Sequence, residues 1–377
     1  MTGVDRPYGA GILFGLLALA IVGALTYPPL AARGDFVEQW AAARIVIEGH
    51  HPYEPATWRD DAARLAGRAS DSPVFIYPPY VALALTPLAL LPREFAATLW
   101  VVASVAIAAF ALRALLLTFP PAHPLASAGY GIAVVASGPA LLALAQGQWD
   151  FLLLAAVCAC AVTLARGRAP TIGAAALLFK PQLAPFILLA IAASTHGPQR
   201  RRFVGAVGIA LALIAMTVVA LPSWWSSWYR GAIGFSGALP IRTTTLATTF
   251  ETLLGAAGAV GAVIVVLVAV GVALSFRVGT PAHLAIWLAT AVLVAPYVQA
   301  YDHLLLLAPL AVAAAVAGRR SRRTAWMLAS AGLIVLVVLA TLSAGLTTAR
   351  GRDVIGAFVP LSIWLLVTAA LWPERRK

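Results

Sequence analysis

Long apolar runs separated by short polar breaks fill nearly the whole chain. A helix needs about 20 mostly apolar residues to cross a bilayer. Ten runs approach or pass that length, with loose edges: 9–30, 95–118, 125–145, 149–165, 203–221, 252–276, 281–297, 303–317, 325–343 and 354–372. Two more are ambiguous. Residues 79–91 are short and hold Pro87, and residues 170–193 are interrupted midway by Lys180-Pro181. Each either crosses the membrane or enters it as a half-length segment. The pattern predicts an all-α polytopic membrane protein of about ten to twelve transmembrane helices, read as one domain over residues 1–377. The first run is longer than a signal-peptide core, and the Pro28-Pro29 break offers no small-residue cleavage site, so it reads as a retained helix. No internal repeat is evident, which weighs against an inverted-repeat transporter.

The polar stretches are uneven. Residues 31–78 form the one long polar segment, with seven acidic residues among them Asp35, Glu38, Asp60 and Asp61. Phe36, Trp40 and Ile47 follow helical spacing, which predicts an amphipathic helix over 35–48 lying on the membrane, ended by Gly49 and blocked by Pro52. Residues 55–67 predict a second surface helix. A second outer loop, 222–250, is rich in Trp, Ser, Thr and Gly; Trp224, Trp225, Trp228 and Tyr229 suit a membrane interface.

Composition removes the soluble alternative. The chain is 62% hydrophobic and 11% charged, too apolar to present a surface to water. Its net charge of +12 does not point to nucleic acid, because the arginines sit in short inter-helix loops (Arg319, Arg320, Arg322, Arg323) and at the end (Arg375, Arg376). The positive-inside rule favours the ten-helix topology, in which Arg166, Arg168 and Arg200 to Arg202 are all cytoplasmic. Either topology places both termini inside, and residues 31–78, 222–250 and 298–302 outside. Cys158 and Cys160, two apart in an apolar run, read as small buried hydrophobes and not as a disulfide or metal pair.

Several polar residues could carry chemistry. Asp35 opens the first surface helix; Asp35 and Glu38 also have the spacing of a helix-capping box, and the two roles are compatible. Asp302 and His303 open an apolar run at the outer surface, where Asp302 suits a cap and His303 an inward-facing role. Lys180 interrupts an apolar run; an ammonium there needs a partner, a water-filled cavity or a path to the interface. Gln148, in Gln146-Gly-Gln148-Trp-Asp150, either faces a site or belongs to a polar turn, and Arg242 is either a phosphate partner or a solvated charge. There is no Gly-rich phosphate loop, zinc spacing, Ser/His/Asp signature or Asp-x-Asp motif.

Gly34-Asp35-Phe36, Trp40-Ala-Ala, Glu48-Gly49, Pro52-Tyr53, Phe75-Ile-Tyr77-Pro-Pro79 and Pro87 to Pro92, in that order, resemble glycosyltransferase family 87; Gly147-Gln148 and Lys180-Pro181 also look like recurring family features. This family includes the PimE-like polyprenyl-phosphate-mannose-dependent mannosyltransferases. The resemblance implies a GT-C membrane fold in the plasma membrane, its site facing the periplasm. It implies a polyprenyl-phosphate-sugar donor, most often mannose in α-linkage, and a glycolipid or glycan acceptor. It also implies that an outer-loop aspartate, here Asp35, acts as base, and that His303 lies near the active site.

The expected reaction is an inverting single displacement with Asp35 and His303 as catalytic residues. Lys180, Arg242 and His303 are candidates for the donor phosphate, and Tyr53, Tyr77 and Gln148 for substrate contact. No cofactor or metal is expected if those cations stabilise the leaving group. Asp60 and Asp61 are the next candidates for the base. A polyprenyl-phosphate-arabinofuranose donor, a lipid or sugar transporter, and a non-catalytic envelope scaffold are the rival readings.

Overall fold

The computed structural model describes residues 34–67, 70, 72–236, 244–350 and 355–375, and these are helical with no strand. The predicted run 9–30 and Arg242 lie outside the described residues. Six described helices are long and apolar enough to cross a membrane: Arg93–Thr118, Leu125–Gln146, Gly197–Ala220, Ala256–Leu274, Ala300–Gly318 and Arg322–Leu346. Shorter apolar helices run over Asp150–Ala165, Ala184–Ala193, Pro281–Val294 and Phe358–Glu374. The chain is thus a polytopic membrane protein. The predicted runs match these helices in order, and local chemistry accounts for their internal breaks. Pro139 follows Ser137, whose hydroxyl accepts from the Ala140 amide and starts a new helix at Gly138. Gly255, at φ +60°, separates Leu246–Leu254 from Ala256–Leu274.

Neither ambiguous run is one continuous helix. Residues 79–91 hold two short helices, Pro79–Ala84 and Thr86–Ala89, each too short to span. Residues 170–193 split into Thr171–Leu177 and Ala184–Ala193, with Lys180 in the break.

The outer segment follows the predicted boundaries, but its first helix is not amphipathic. Asp35–Ile47 buries Phe36, Val37, Gln39, Trp40, Ala41, Ala42, Ala43 and Ile45, so protein surrounds most of its surface. Trp40 Nε1 donates to Leu91 O at 3.2 Å and Arg44 to Ala89 O at 3.3 Å, which fastens it to the short helices below. Pro55–Ala66 ends at Gly67, whose φ of +71° forms a left-handed cap. A satellite core of Tyr53, Trp58, Phe75 and Ile45 joins the two helices. The second loop holds a helix, Pro222–Ser236, and its tryptophans pack inward more than a simple interfacial belt would. Trp228 Nε1 donates to Ile76 O at 2.8 Å, and Trp224 lies 5.1 Å from the His51 ring.

Helix direction sorts the polar ends. Asp150–Ala165 and Ala300–Gly318 begin beside the outer segment and run about 24 and 28 Å, at 1.5 Å per residue, to Arg166 and Arg319. The arginine turns and the polar cluster around Asp35 therefore sit at opposite ends of these helices.

Candidate active site

The site begins with the way the Asp35 helix starts. Gly34 is its N-cap residue, and no side chain of the helix caps it. The Asp35 amide is instead met by Gln146 Oε1 at 3.3 Å, from the end of Gly138–Gln146. Gly34 allows that approach: a Cβ there would lie 2.7 Å from both Ala145 O and Gln146 Cα. The capping-box reading of Asp35 and Glu38 therefore does not hold. With the first turn capped from outside, the Asp35 carboxylate accepts a short hydrogen bond at Oδ2 from Gln148 Nε2.

Gln148 is fixed in turn. It is buried, and its Oε1 accepts from the Tyr77 hydroxyl at 3.2 Å. Burial, then the charges of Asp35 and Asp150, push the Tyr77 hydroxyl well above its ordinary value, so it stays a neutral donor. Tyr297 and Tyr301 also lie within electrostatic reach of Asp35, and Tyr301 of Tyr77 and Asp302. Asp35, Tyr77, Tyr297 and Tyr301 each keep partial exposure.

A second polar cluster lies beside the first. Lys180 Nζ is buried between Asp150, at 3.2 Å to Oδ1, and Asp302, which it meets at Oδ1. It also lies over the Tyr301 ring, 4.6 Å from the centroid. Lys180 Nζ is thus bonded to two buried carboxyl groups of its own chain. The other oxygen of Asp302 accepts from the Gln299 amide at 2.7 Å, a capping role that the sequence reading assigns to it.

His303 follows immediately and is fully buried. Its Nε2 lies 3.3 Å from Thr244 Oγ1, whose hydroxyl donates to Val298 O at 3.1 Å. The imidazole therefore donates from Nε2, and Nδ1 has no partner among the described residues. A buried ring nitrogen without a partner is a position where a ligand atom can bind.

The remaining sequence candidates separate. Tyr53 is fully buried and its hydroxyl donates to Tyr77 O at 2.9 Å, so it braces the loop. Asp60 pairs with Arg59 at 3.6 Å and is widely exposed, while Asp61 belongs to a surface cluster with His50 and Arg64. Neither joins the Asp35 cluster. The sequence reading missed Asp150, Tyr297 and Tyr301 as neighbours, although the unbalanced charge of Lys180 implied carboxylates nearby. It also missed Gln39, one helical turn from Asp35, buried with both ends of its amide unpartnered among the described residues. Among the described residues, no group of three or more His, Cys, Asp or Glu side chains could hold a metal ion.

The profile of glycosyltransferase family 87 matches residues 75–298, more than half of the chain. Tyr77, Gln148, Asp150, Lys180 and Tyr297 fall inside the match; Asp35 precedes it and His303 follows it. No curated protein and no solved structure matches.

Proposed function

The chain belongs to glycosyltransferase family 87, and from that premise we propose that it transfers a sugar, most often mannose, from a polyprenyl-phosphate donor to a hydroxyl of a glycolipid or glycan. The transfer takes place on the outer face of the plasma membrane. The arginine turns at the far ends of the helices from Asp35 support that orientation.

The observation that carries the proposal is an outer-helix aspartate relieved of capping duty and oriented by Gln148. In the proposed step the acceptor oxygen attacks the anomeric carbon and its proton passes to Asp35. The bond from that carbon to the phosphate oxygen breaks, and its electron pair leaves with the polyprenyl phosphate. One base suffices for this inversion, because the lipid phosphate is a competent leaving group; general-base catalysis of this kind contributes about 10² to 10⁴ in rate. His303 Nδ1, which carries no proton in the free protein, takes one up only as the anionic donor phosphate binds beside it, and then donates to the departing oxygen. Tyr77 and Tyr301 supply the aromatic walls for the sugar. The reading includes a GT-C-type fold and a donor tail that enters from the membrane between helices.

The test is transfer of radiolabelled mannose from polyprenyl-phosphate-mannose to membrane lipid by reconstituted protein. Wild-type incorporation that Asp35→Asn loses while keeping its melting behaviour is the expected result. Equal incorporation by both removes Asp35 from the chemistry. Incorporation only from a polyprenyl-phosphate-arabinofuranose donor replaces the sugar while retaining the reaction.

A further inference from the structure

Two turns carry the polar groups of the site. The first is Gly147 to Asp150, which supplies Gln148 to Asp35. The second is Gln299 to His303, which supplies the open imidazole nitrogen. They come from distant parts of the sequence, and Lys180 Nζ bonds both, Asp150 on one turn and Asp302 on the other.

Three features make this junction specific. Lys180 sits in the break between Thr171–Leu177 and Ala184–Ala193, so backbone that is not helical delivers it to a point that neither half-helix reaches. Its side chain is 2% exposed and both carboxylates are fully buried, so water does not replace the contacts. Each carboxylate is also tied to its own turn: Asp150 begins Asp150–Ala165 directly after Gln148-Trp149, and Asp302 Oδ2 holds the Gln299 amide. An ammonium has three donors. Here they face Asp150 and Asp302, with the Tyr301 ring on a further side.

We propose that Lys180 is a positioning residue, setting the separation between the Gln148 turn and the His303 turn through Asp150 and Asp302, and is not a ligand of the donor phosphate. The proposal rests on the transfer reaction above for its functional meaning, while its structural core does not depend on that reading. With Lys180 removed, two buried carboxylates face each other unbalanced and both turns move. Replacing Asp150 by an amide at the same time restores the wild-type net charge of the cluster and puts a donor at position 150 within hydrogen-bond reach of Asp302, so that the two turns are joined directly.

The experiment compares full-length wild type, Lys180→Met, Asp150→Asn and the double variant Lys180→Met/Asp150→Asn, all in lipid nanodiscs. Amide hydrogen exchange is read over 147–150 and 299–306. Binding of polyprenyl monophosphate and, where transfer is measurable, the pH–rate profile are also read. Lys180→Met is expected to raise exchange in both segments together, about tenfold or more, and to shift the acid limb of the rate profile to higher pH as Gln148 leaves Asp35. The double variant is expected to recover protection, lipid-phosphate binding and the position of the acid limb. Asp150→Asn, which keeps the Lys180–Asp302 pair, is expected to loosen 147–150 alone; it tests the linkage even if Lys180→Met does not fold. Lipid-phosphate binding lost in the double variant despite full protection makes Lys180 a phosphate ligand and overturns the proposal. Exchange unchanged in both segments in Lys180→Met or Asp150→Asn also overturns it. Absence of sugar transfer by wild type counts against the proposed reaction alone, because the exchange result stands without it.

Discussion

Gln148 donates its amide to the Asp35 carboxylate while its carbonyl accepts from Tyr77, so a single side chain orients the proposed base and is itself oriented. The two positions should respond differently to substitution. Asp35→Asn removes the proton acceptor, and the turnover number is expected to fall about 10² to 10⁴-fold with donor binding retained. Gln148→Leu leaves the carboxylate in place without its donor. Turnover is expected to fall by a smaller factor, about tenfold, and the acid limb of the pH–rate profile should move upward, since a carboxylate that loses a hydrogen bond holds its proton more tightly. Steady-state kinetics from pH 4 to 8, using about that span to cover the carboxylate range, checks both. An unmoved acid limb in Gln148→Leu would separate Gln148 from the base.

Gly34 is the residue that lets this arrangement form. Its φ is ordinary, so the need for glycine is steric: the backbone of Ala145 and Gln146 fills the space where a side chain would begin. Backbone atoms cannot move aside as a flexible side chain can. Gly34→Ala is expected to destabilise the protein by about 1–3 kcal/mol. It should also lower turnover, because the Asp35 amide is pushed away from Gln146 and the carboxylate away from Gln148. A melting temperature and turnover number matching wild type would contradict the close approach.

The helix boundaries were legible because each transmembrane run is bounded by proline, glycine or arginine, and bilayer thickness fixes the expected length. Asp35 and His303 were legible as single residues, because ionisable groups at the ends of apolar runs stand out. Their partners were not. Asp150 reads as an ordinary first-turn carboxylate, and nothing local reports that it faces Lys180, which arrives from a broken helix. The amphipathic reading of 35–48 failed for a related reason. Its alanines look neutral in a sequence pattern, yet they are the small residues that let neighbouring helices close around it on several sides.

Gln39 is buried beside the proposed base, and among the described residues neither end of its amide has a partner. A buried polar group left unsatisfied costs about 1–3 kcal/mol, and an apolar replacement of similar shape recovers that cost. Gln39→Met is therefore expected to raise the stability of substrate-free protein by about this amount. Thermal unfolding in one fixed detergent measures it. A lowered melting temperature would mean that the amide is satisfied in solution by an ordered water.

The outer helices are also joined by charge, and this gives a pH dependence of known sign. Arg64 bonds Glu48 at 2.6 Å and Asp61 at 3.0 Å, while His50 meets Asp61 at 2.8 Å. Burial raises the Glu48 pKa, but hydrogen bonds from Arg64 and Arg44 outweigh it and bring the group below its ordinary 4.5. The bond to His50, aided by Arg64, lowers Asp61 below its ordinary 3.8. Both folded values lie below the unfolded ones. The stabilisation is therefore complete at neutral pH and is lost as pH falls through the folded values, below about 4. Because the groups are near the surface, the effect is modest and weakens with salt. Arg64→Ala removes one partner from each carboxylate, so the outer helices should separate at higher pH than in wild type. Trp58, which packs on Phe75, and Trp224, which packs on Tyr53, provide the fluorescence signal for an acid titration. An acid midpoint unchanged by Arg64→Ala, at both low and high salt, would show that apolar packing alone holds the two helices together.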